Sequence, residues 1–416
     1  MSIILLVLMN LTFIMLVYNS IREKSLSILF WISLLIFFDL PHTLEVIRSD
    51  SSLYSESILN QASLFVFTFN MLFIIMTSIY NMITINNQNT LNMFEKKEVN
   101  KRFYSYQLVL LVLSLVIWSY GLYQVNGKIL GSTWTDMRNV KPLYSMAGNY
   151  LFLASVGCVF SFFYLKRKKL FLISLVVTFI FIILVKSRSN IIPVIGPFFI
   201  YFLYKSRFNI RTISRVLLIG ITIIFSVFFL QQFRYIGSVE NIEFDTIIEV
   251  TQETVESIAE GGGEFNLRNG FYLFLENRNN FNNFNEGNTY KRLLLLPFPS
   301  SLFEFKPNDF AFDMYNALYP SRANQGGTYH PIFYGDAYGN FGFLGFSVAF
   351  LWFFVFKTLD KILIYSRPSV TISLLAPMSL MYILVARGAI YNSIAFLFWS
   401  GLIILSLSFI SRLKWN

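Results

Sequence analysis

The chain has 416 residues, of which 55% are hydrophobic and 13% are charged, and its formal net charge is +10. Its mean hydropathy of +0.57 excludes an ordinary soluble domain. The apolar runs are continuous and too long for alternating strands, which also excludes a closed β-barrel. We therefore predict an all-α polytopic membrane protein with about 11 transmembrane helices.

The predicted membrane spans are unevenly distributed along the chain. They are 3–20, 26–42, 62–84, 107–126, 146–165, 170–186, 190–205, 214–232, 339–357, 370–386 and 389–410. A connection of about a hundred residues separates the eighth span from the ninth, and loops of that length tend to be functional. The sequence thus predicts three parts: a transmembrane bundle (1–234), a periplasmic loop domain (235–338) and C-terminal transmembrane helices (339–416).

Basic residues alternate from one predicted loop to the next, which orients the bundle. With the N-terminus outside, the cytoplasmic loops hold 19 basic and four acidic residues. Cytoplasmic loops of membrane proteins are enriched in Lys and Arg. We therefore expect a periplasmic N-terminus, a periplasmic segment 235–338 and a cytoplasmic C-terminus. Because topology accounts for the net basicity, no nucleic-acid partner is predicted.

Cofactor signatures are missing from the sequence. His42 lacks a second His or Cys at ligand spacing, so no zinc pattern is present. No glycine loop of the phosphate-binding kind occurs either. We expect no cofactor, neither a metal nor a nucleotide, and thus a reaction on a substrate that is already activated.

The predicted outer loop has internal order. Apolar residues recur at helical spacing from 243 to 260, and glycines 261–263 end this predicted helix. The following stretch, 265–290, interleaves asparagines with aromatic residues, a composition that suits carbohydrate. Codon drift in an exposed loop explains that composition equally well. Both interpretations therefore stay open.

The loop ends in a stretch, 322–345, that is dense in glycine and polar residues. It contains His330, one of only two histidines, and Asp336 six residues later. These two side chains are our candidate catalytic residues, although a surface histidine is more often an ordinary polar residue. The candidates for contact with a glycan in the same stretch are Tyr329, Tyr334, Tyr338 and Asn340.

Two arginines occupy short turns on the side predicted to be poor in positive charge. Arg188 and Arg387 follow spans that are barely long enough for a hydrocarbon core of about 30 Å. Arginine at that depth usually marks a site, and its planar fork suits phosphate oxygens. Snorkelling to lipid head groups is the alternative. Further candidates for the same pyrophosphate site are Lys186, Arg234 and Arg322, with Arg138 and Lys141 nearby.

A lipid-linked pyrophosphate sugar fits these features. Its polyprenyl tail needs an intramembrane groove, its pyrophosphate needs recessed arginines, and its glycan needs a polar outer vestibule. The layout of spans, the stretch from Pro297 to Pro307, the Lys186-Ser187-Arg188 turn and the segment Gly335–Gly345 resemble Wzy-type O-antigen and oligosaccharide repeat-unit polymerases. The layout resemblance covers the whole chain. The motif resemblance covers about a tenth of it.

This resemblance implies a glycosyltransferase of the membrane-embedded GT-C type in a bacterial inner membrane. It implies that the arginines stabilise a departing pyrophosphate, while Asp336 or His330 deprotonates the acceptor hydroxyl. The implied partners are an undecaprenyl-pyrophosphate-linked oligosaccharide donor and acceptor, the lipid bilayer and a chain-length regulator protein. The expected activity is polymerisation of repeat units at the periplasmic face.

Two other functions fit part of the same pattern. An O-antigen ligase has a similar layout and lipid-linked donor, and His330 and Arg322 would serve it equally well. A flippase for the lipid-linked glycan belongs to another class of protein. Transporters usually have repeat halves with matched broken helices, and this sequence shows no such halves.

Overall fold

The computed structural model of the protein describes residues 2–47, 54–84, 100–127, 129, 134–205, 248, 252, 266–277, 284–298, 303, 305–308, 310–322 and 327–413. Within these ranges all the regular secondary structure is helical. The predicted span 214–232 and Arg234 lie outside the described residues. So does the predicted helix 243–260, apart from two positions.

The described residues before 206 form ten α-helices. They are α1 (Ser2–Glu23), α2 (Ile28–Leu34), α3 (Leu40–Ile47), α4 (Glu56–Thr84), α5 (Lys101–Asn126), α6 (Trp134–Arg138), α7 (Pro142–Ser155), α8 (Gly157–Tyr164), α9 (Lys168–Val185) and α10 (Ile192–Lys205). A π-helical segment, Leu35–Asp39, joins α2 to α3. A short 3₁₀ helix, Arg188–Ile191, precedes α10.

The described residues after 265 form seven more α-helices. They are α11 (Arg268–Asn277), α12 (Asn288–Leu294), α13 (Phe310–Leu318), α14 (Ile332–Phe341), α15 (Val348–Tyr365), α16 (Pro368–Ala386) and α17 (Ile390–Ile410). A 3₁₀ helix, Pro320–Arg322, follows α13. Another, Gly342–Ser347, joins α14 to α15.

Nine helical stretches in the described part of the chain are long and apolar enough to cross a membrane. They coincide with nine of the eleven predicted spans, which confirms the all-α polytopic membrane fold. A helix suits the bilayer because it satisfies its own backbone hydrogen bonds. The seventh predicted span is α10, which at 14 residues is short for a bilayer crossing. The orientation in the membrane and the GT-C architecture stay predictions.

The ninth span begins earlier than the predicted start at 339. Helical structure starts at Ile332 with α14 and continues through the 3₁₀ turn into α15. Within this helix every residue from Ile332 to Asn340 is buried. Burial in the protein interior overrides the low helix propensity of glycine.

Gly345 allows the sharp turn at the end of α14. A Cβ atom on Gly345 would come within 2.2 Å of the Ala337 carbonyl oxygen. No side chain fits there, so the glycine at this position is required for the close approach of the backbone.

One compact unit combines Met1–Leu91, Gly261–Lys361 and Met381–Ala395. In this unit α1 packs against α4, and α11 packs against α14. The Phe333 ring of α14 lies edge-on to the rings of Phe30 and Phe69, with centroids 5.0 and 5.3 Å away. Trp352 adds a third edge contact at 5.6 Å. This aromatic core fixes the position of α14.

The second compact unit combines Asn92–Glu260, Ile362–Leu380 and Phe396–Asn416. Among its described residues α5 packs against α7 and α9. A Cβ on Gly157 would lie 2.9 Å from Ser373 Cα, and one on Gly196 would lie 2.4 Å from Ser379 Cβ. Small residues therefore let membrane helices approach closely here. The three predicted parts, with boundaries at 234 and 338, stay a prediction.

Candidate functional site

The two predicted catalytic residues lie in helix α14 and just before it. His330 lies two residues before the helix and is 8% exposed, and Asp336 lies within the helix and is 2% exposed. Between them Ile332 has a φ angle of +58°. A β-branched residue with positive φ is strained, and such residues cluster at functional sites.

The Asp336 carboxylate is held by two neutral donors. Thr289 Oγ1 donates to Asp336 Oδ2 at 3.0 Å, and Asn340 Nδ2 donates to Asp336 Oδ1 at 3.1 Å. Asn340 Oδ1 accepts from the Thr289 backbone N–H at 3.0 Å. The three side chains thus form a closed network that ties α14 to α12.

Tyr290 of α12 lies in the electrostatic field of this network. Burial, together with the negative charge of Asp336, raises the pKa of Tyr290 well above its usual value. Its hydroxyl accepts a hydrogen bond from Trp352 Nε1 at 3.4 Å. The phenol therefore stays neutral. An anchored, oriented carboxylate suits either a structural role or a general base, and the catalytic role of Asp336 stays a prediction.

The predicted glycan-binding residues are mostly buried. Tyr334 is fully buried and donates to Asn70 Oδ1 at 2.8 Å, and Asn340 is fully buried in the network above. Tyr338 is 6% exposed and packs on neighbouring aromatic rings. Only Tyr329 is partly exposed, and burial raises its pKa to about 12. In this conformation Tyr334, Asn340 and Tyr338 contact other groups of the protein, so their role in binding a glycan stays a prediction.

Arg387 lies in the turn between α16 and α17 and is half-buried. The next residue, Gly388, has a φ angle of +92°. A Cβ on Gly388 would come within 2.9 Å of the backbone N and C atoms of Ile332. The structure therefore brings the Arg387 turn against the start of α14, near the segment that contains His330.

A pair of basic side chains converges on one aromatic ring in the same unit. The guanidinium carbon of Arg292 lies 4.3 Å from the centroid of the Tyr391 ring, and Lys306 Nζ lies 5.5 Å from it. Lys306 donates to the carbonyl oxygens of Leu295 and Phe298 at 3.0 and 2.8 Å. We call Arg292, Lys306 and Tyr391 the cation cluster.

The cation cluster has surplus positive charge. Arg292 donates to the carbonyl oxygen of Pro307, and its Nε atom has no hydrogen-bond partner among the described residues. Neither Arg292 nor Lys306 forms an ion pair within the described ranges. Carbonyl oxygens and a π face therefore hold the two cations without neutralising them. This arrangement can bind an anion.

Sequence reasoning missed Arg292, Thr289 and Tyr391. Lys306 was included only as part of the stretch from Pro297 to Pro307. No local pattern brings residue 292 near residue 391, since the contact depends on how α12 packs in the unit. Tyr391 lies four residues after Arg387 in sequence, but the positive φ of Gly388 separates the Arg387 turn from α17, so helical spacing does not relate the two side chains.

The remaining predicted anion ligands lie elsewhere. Lys186 and Arg188 belong to the second unit, where Lys186 ends α9 with a φ angle of +46° and is 2% exposed. Arg322 ends a 3₁₀ helix in the first unit. Arg234 lies outside the described residues. The structure therefore unites the predicted Arg387 with the cation cluster in one unit and assigns Lys186 and Arg188 to the other.

Among the residues that the structure describes, no group of His, Cys, Asp or Glu side chains is arranged to hold a metal ion. The first unit contains both the carboxylate network around Asp336 and the cation cluster. The chain matches no protein-family model, no curated protein and no solved structure.

Proposed function

We propose that the protein is a glycosyltransferase that polymerises undecaprenyl-pyrophosphate-linked repeat units into O-antigen or a related surface polysaccharide. The proposal joins the membrane fold to the family resemblance in the sequence. It places the reaction at the periplasmic face of a bacterial inner membrane.

The observation that carries the proposal is the cation cluster. Arg292 and Lys306 are held on the Tyr391 ring without a carboxylate partner among the described residues. Two half-buried cations without a carboxylate partner among the described residues attract an anion. A pyrophosphate attached to a polyprenyl chain supplies that anion, and its chain needs the lipid environment that the long apolar helices in the described part of the protein suit.

The proposed reaction is a displacement at the anomeric carbon of the donor glycan. The acceptor hydroxyl oxygen forms a bond to this carbon as the bond to the pyrophosphate oxygen breaks. The leaving pyrophosphate keeps the electron pair, and Arg292, Lys306 and Arg387 stabilise its charge. Asp336 or His330 takes the proton of the acceptor hydroxyl.

A deletion strain tests the activity. A strain without the protein should export and ligate a single repeat unit, so its lipopolysaccharide should show core plus one unit on a gel in place of a ladder. Loss of the single unit as well would favour a ligase or flippase. An unchanged ladder would reject the polymerase. Reintroduction of the intact chain should restore the ladder.

A further inference from the structure

The second membrane helix carries three polar residues at three-residue spacing, Asp39, His42 and Glu45. Residues at this spacing share one face of a helix. In the first unit this face points inward, because Asp39 is 3% exposed and His42 is fully buried. The face therefore forms a polar line through an otherwise apolar helix.

Two of the three residues have partners that satisfy them. Arg268 Nη2 contacts Glu45 Oε2 at 2.9 Å as an ion pair. His42 Nδ1 lies 2.6 Å from the Tyr272 hydroxyl, and Nε2 lies 2.8 Å from Ser63 Oγ. These bonds connect the helix to α11 and α4.

The hydrogen bonds also indicate the state of His42. Ser63 Oγ donates its hydrogen to the Leu59 carbonyl oxygen at 3.0 Å, so it accepts from His42 Nε2. His42 Nδ1 then accepts from the Tyr272 hydroxyl. His42 is therefore neutral and does not compensate a charge elsewhere on its helix.

Asp39 differs from both neighbours on this face. Its Oδ1 atom is buried and has no hydrogen-bond partner among the described residues. The residue lies about 16 Å along a helical stretch of about 30 Å, Ile28–Ile47, and thus near the middle of that stretch. An ionised carboxylate without a partner at this depth is among the most costly groups a membrane protein can hold.

The backbone at Asp39 is also unusual. Leu35–Asp39 is a π-helical segment, in which the Leu40 N–H bonds to the Leu35 carbonyl oxygen. Single π turns within α-helices occur frequently at functional sites. The segment ends at the buried carboxyl group, so two independent rare features coincide at one residue.

Among the residues that the structure describes, no cation forms an ion pair with Asp39. From α14 it faces Tyr334, on which an ionised Asp39 would act electrostatically. From α11, Tyr272 is bonded to His42 and Arg268 is paired with Glu45. From α4, Ser63 is bonded to His42 and Asn70 accepts from Tyr334. Since no cation among the described residues pairs with Asp39, a bound proton is the neutralising group that fits this site.

We propose that Asp39 is a proton-binding site inside the membrane and is a neutral carboxylic acid in the resting protein. Loss of this proton would place a charge beside Tyr334 on α14, the helix that also carries Asp336. Protonation of Asp39 is thereby linked to the packing of α14. The proposal does not depend on the glycosyltransferase activity, because its readout is spectroscopic.

Infrared spectroscopy of the purified full-length protein in nanodiscs tests this site. Protein with ¹³C at the aspartate side-chain carboxyl should show, at neutral pH, the C=O band of a protonated aspartic acid, and Asp39→Asn should remove that component. Glu56→Gln, at an exposed position, should leave the band intact, and Asp360→Asn should remove only its own contribution. A band identical in wild type and Asp39→Asn would overturn the proposal, and so would its absence in wild type.

Two further measurements keep the test decisive. If Asp39→Asn does not fold, Asp39→Glu carries no ¹³C label at position 39 and should lose the same component. If Asp39→Asn folds, the thermal midpoint of the wild type should fall relative to it as the pH rises. The thermal midpoint should fall because the native state binds one more proton than the unfolded state, so a rise in pH lowers the stability of the native state. An unchanged or opposite trend would contradict the proposal.

Discussion

The backbones of Gly388 and Ile332 lie against each other, although 56 positions separate them in the chain. Both have positive φ angles, +92° and +58°. This contact brings the turn that contains Arg387 to the start of α14. It is the structural link between the predicted anion site and the predicted catalytic segment.

The first prediction concerns this contact. Gly388→Ala should destabilise the protein through strain at positive φ, about 1–2 kcal/mol, and through a clash that adds about 1–3 kcal/mol. The matched control is Gly127→Ala, where φ is +70° but nothing lies within 4 Å of the added Cβ. Thermal unfolding of detergent-purified protein should show a larger fall for Gly388→Ala. Equal falls would mean that the contact with Ile332 is unimportant.

The second prediction concerns the cation cluster. Arg292→Ala and Lys306→Ala should each abolish long-chain polymer while the amount of protein in the membrane is unchanged, because the leaving pyrophosphate loses a counter-charge. Lys291→Ala, at the exposed neighbouring position, is the control and should polymerise normally.

The aromatic ring of the cluster gives a second comparison. Tyr391→Phe keeps the π face and should retain polymer, whereas Tyr391→Leu should lose most of it. Gels of lipopolysaccharide measure the amount of long-chain polymer that each Tyr391 variant makes. A normal ladder from Arg292→Ala and Lys306→Ala would remove the cluster from the proposed site.

The third prediction concerns the arginines identified from sequence. Arg188→Ala and Arg387→Ala should each abolish polymer, and Lys at either position should rescue poorly because the planar fork is lost. Arg167→Ala, at an exposed position on the predicted cytoplasmic side, should have no effect. Immunoblots of membranes must show equal protein. Wild-type polymer from both Ala variants would rule these arginines out.

The fourth prediction separates catalysis from anchoring at Asp336. Asp336→Asn and Thr289→Val should each cost about 1–3 kcal/mol of stability, since each leaves a buried donor or acceptor unsatisfied. Only Asp336→Asn should lower the turnover rate, by roughly 10²–10⁴-fold, if Asp336 is the base. Turnover by purified protein on a lipid-linked repeat unit measures the difference.

The result also decides between the two candidate bases. Equal loss of rate in Asp336→Asn and Thr289→Val would assign Asp336 an anchoring role. Normal turnover of Asp336→Asn together with failure of His330→Ala would move the base to His330 and leave the polymerase proposal intact.

The fifth prediction concerns topology. A periplasm-dependent phosphatase fused after Asn288 should be active, and one fused after Asn416 should be inactive, because basic residues concentrate in the predicted cytoplasmic loops. Enzyme activity of the two fusions, normalised to protein amount, provides the measurement. The reverse pattern would invert the predicted orientation.

The sequence alone determined the membrane fold. In the described part of the chain, nine of the predicted spans are helices long and apolar enough to cross a bilayer, because a long apolar run must satisfy its backbone hydrogen bonds within itself. The single acid in the second apolar span, Asp39, was also readable as a signal, since an ionisable residue inside a membrane helix usually marks function. The candidate residues predicted from the sequence did not include Asp39.

Only the tertiary structure decided the surroundings of the polar residues. The hydrophobic pattern predicted a span only from 339, yet the stretch Ile332–Phe341 is already a helix whose Phe333 packs against Phe30 and Phe69. The convergence of Arg292 and Lys306 on Tyr391 joins parts of the chain that are far apart in sequence. Such contacts depend on how helices pack, and local patterns of hydrophobicity and charge do not encode them.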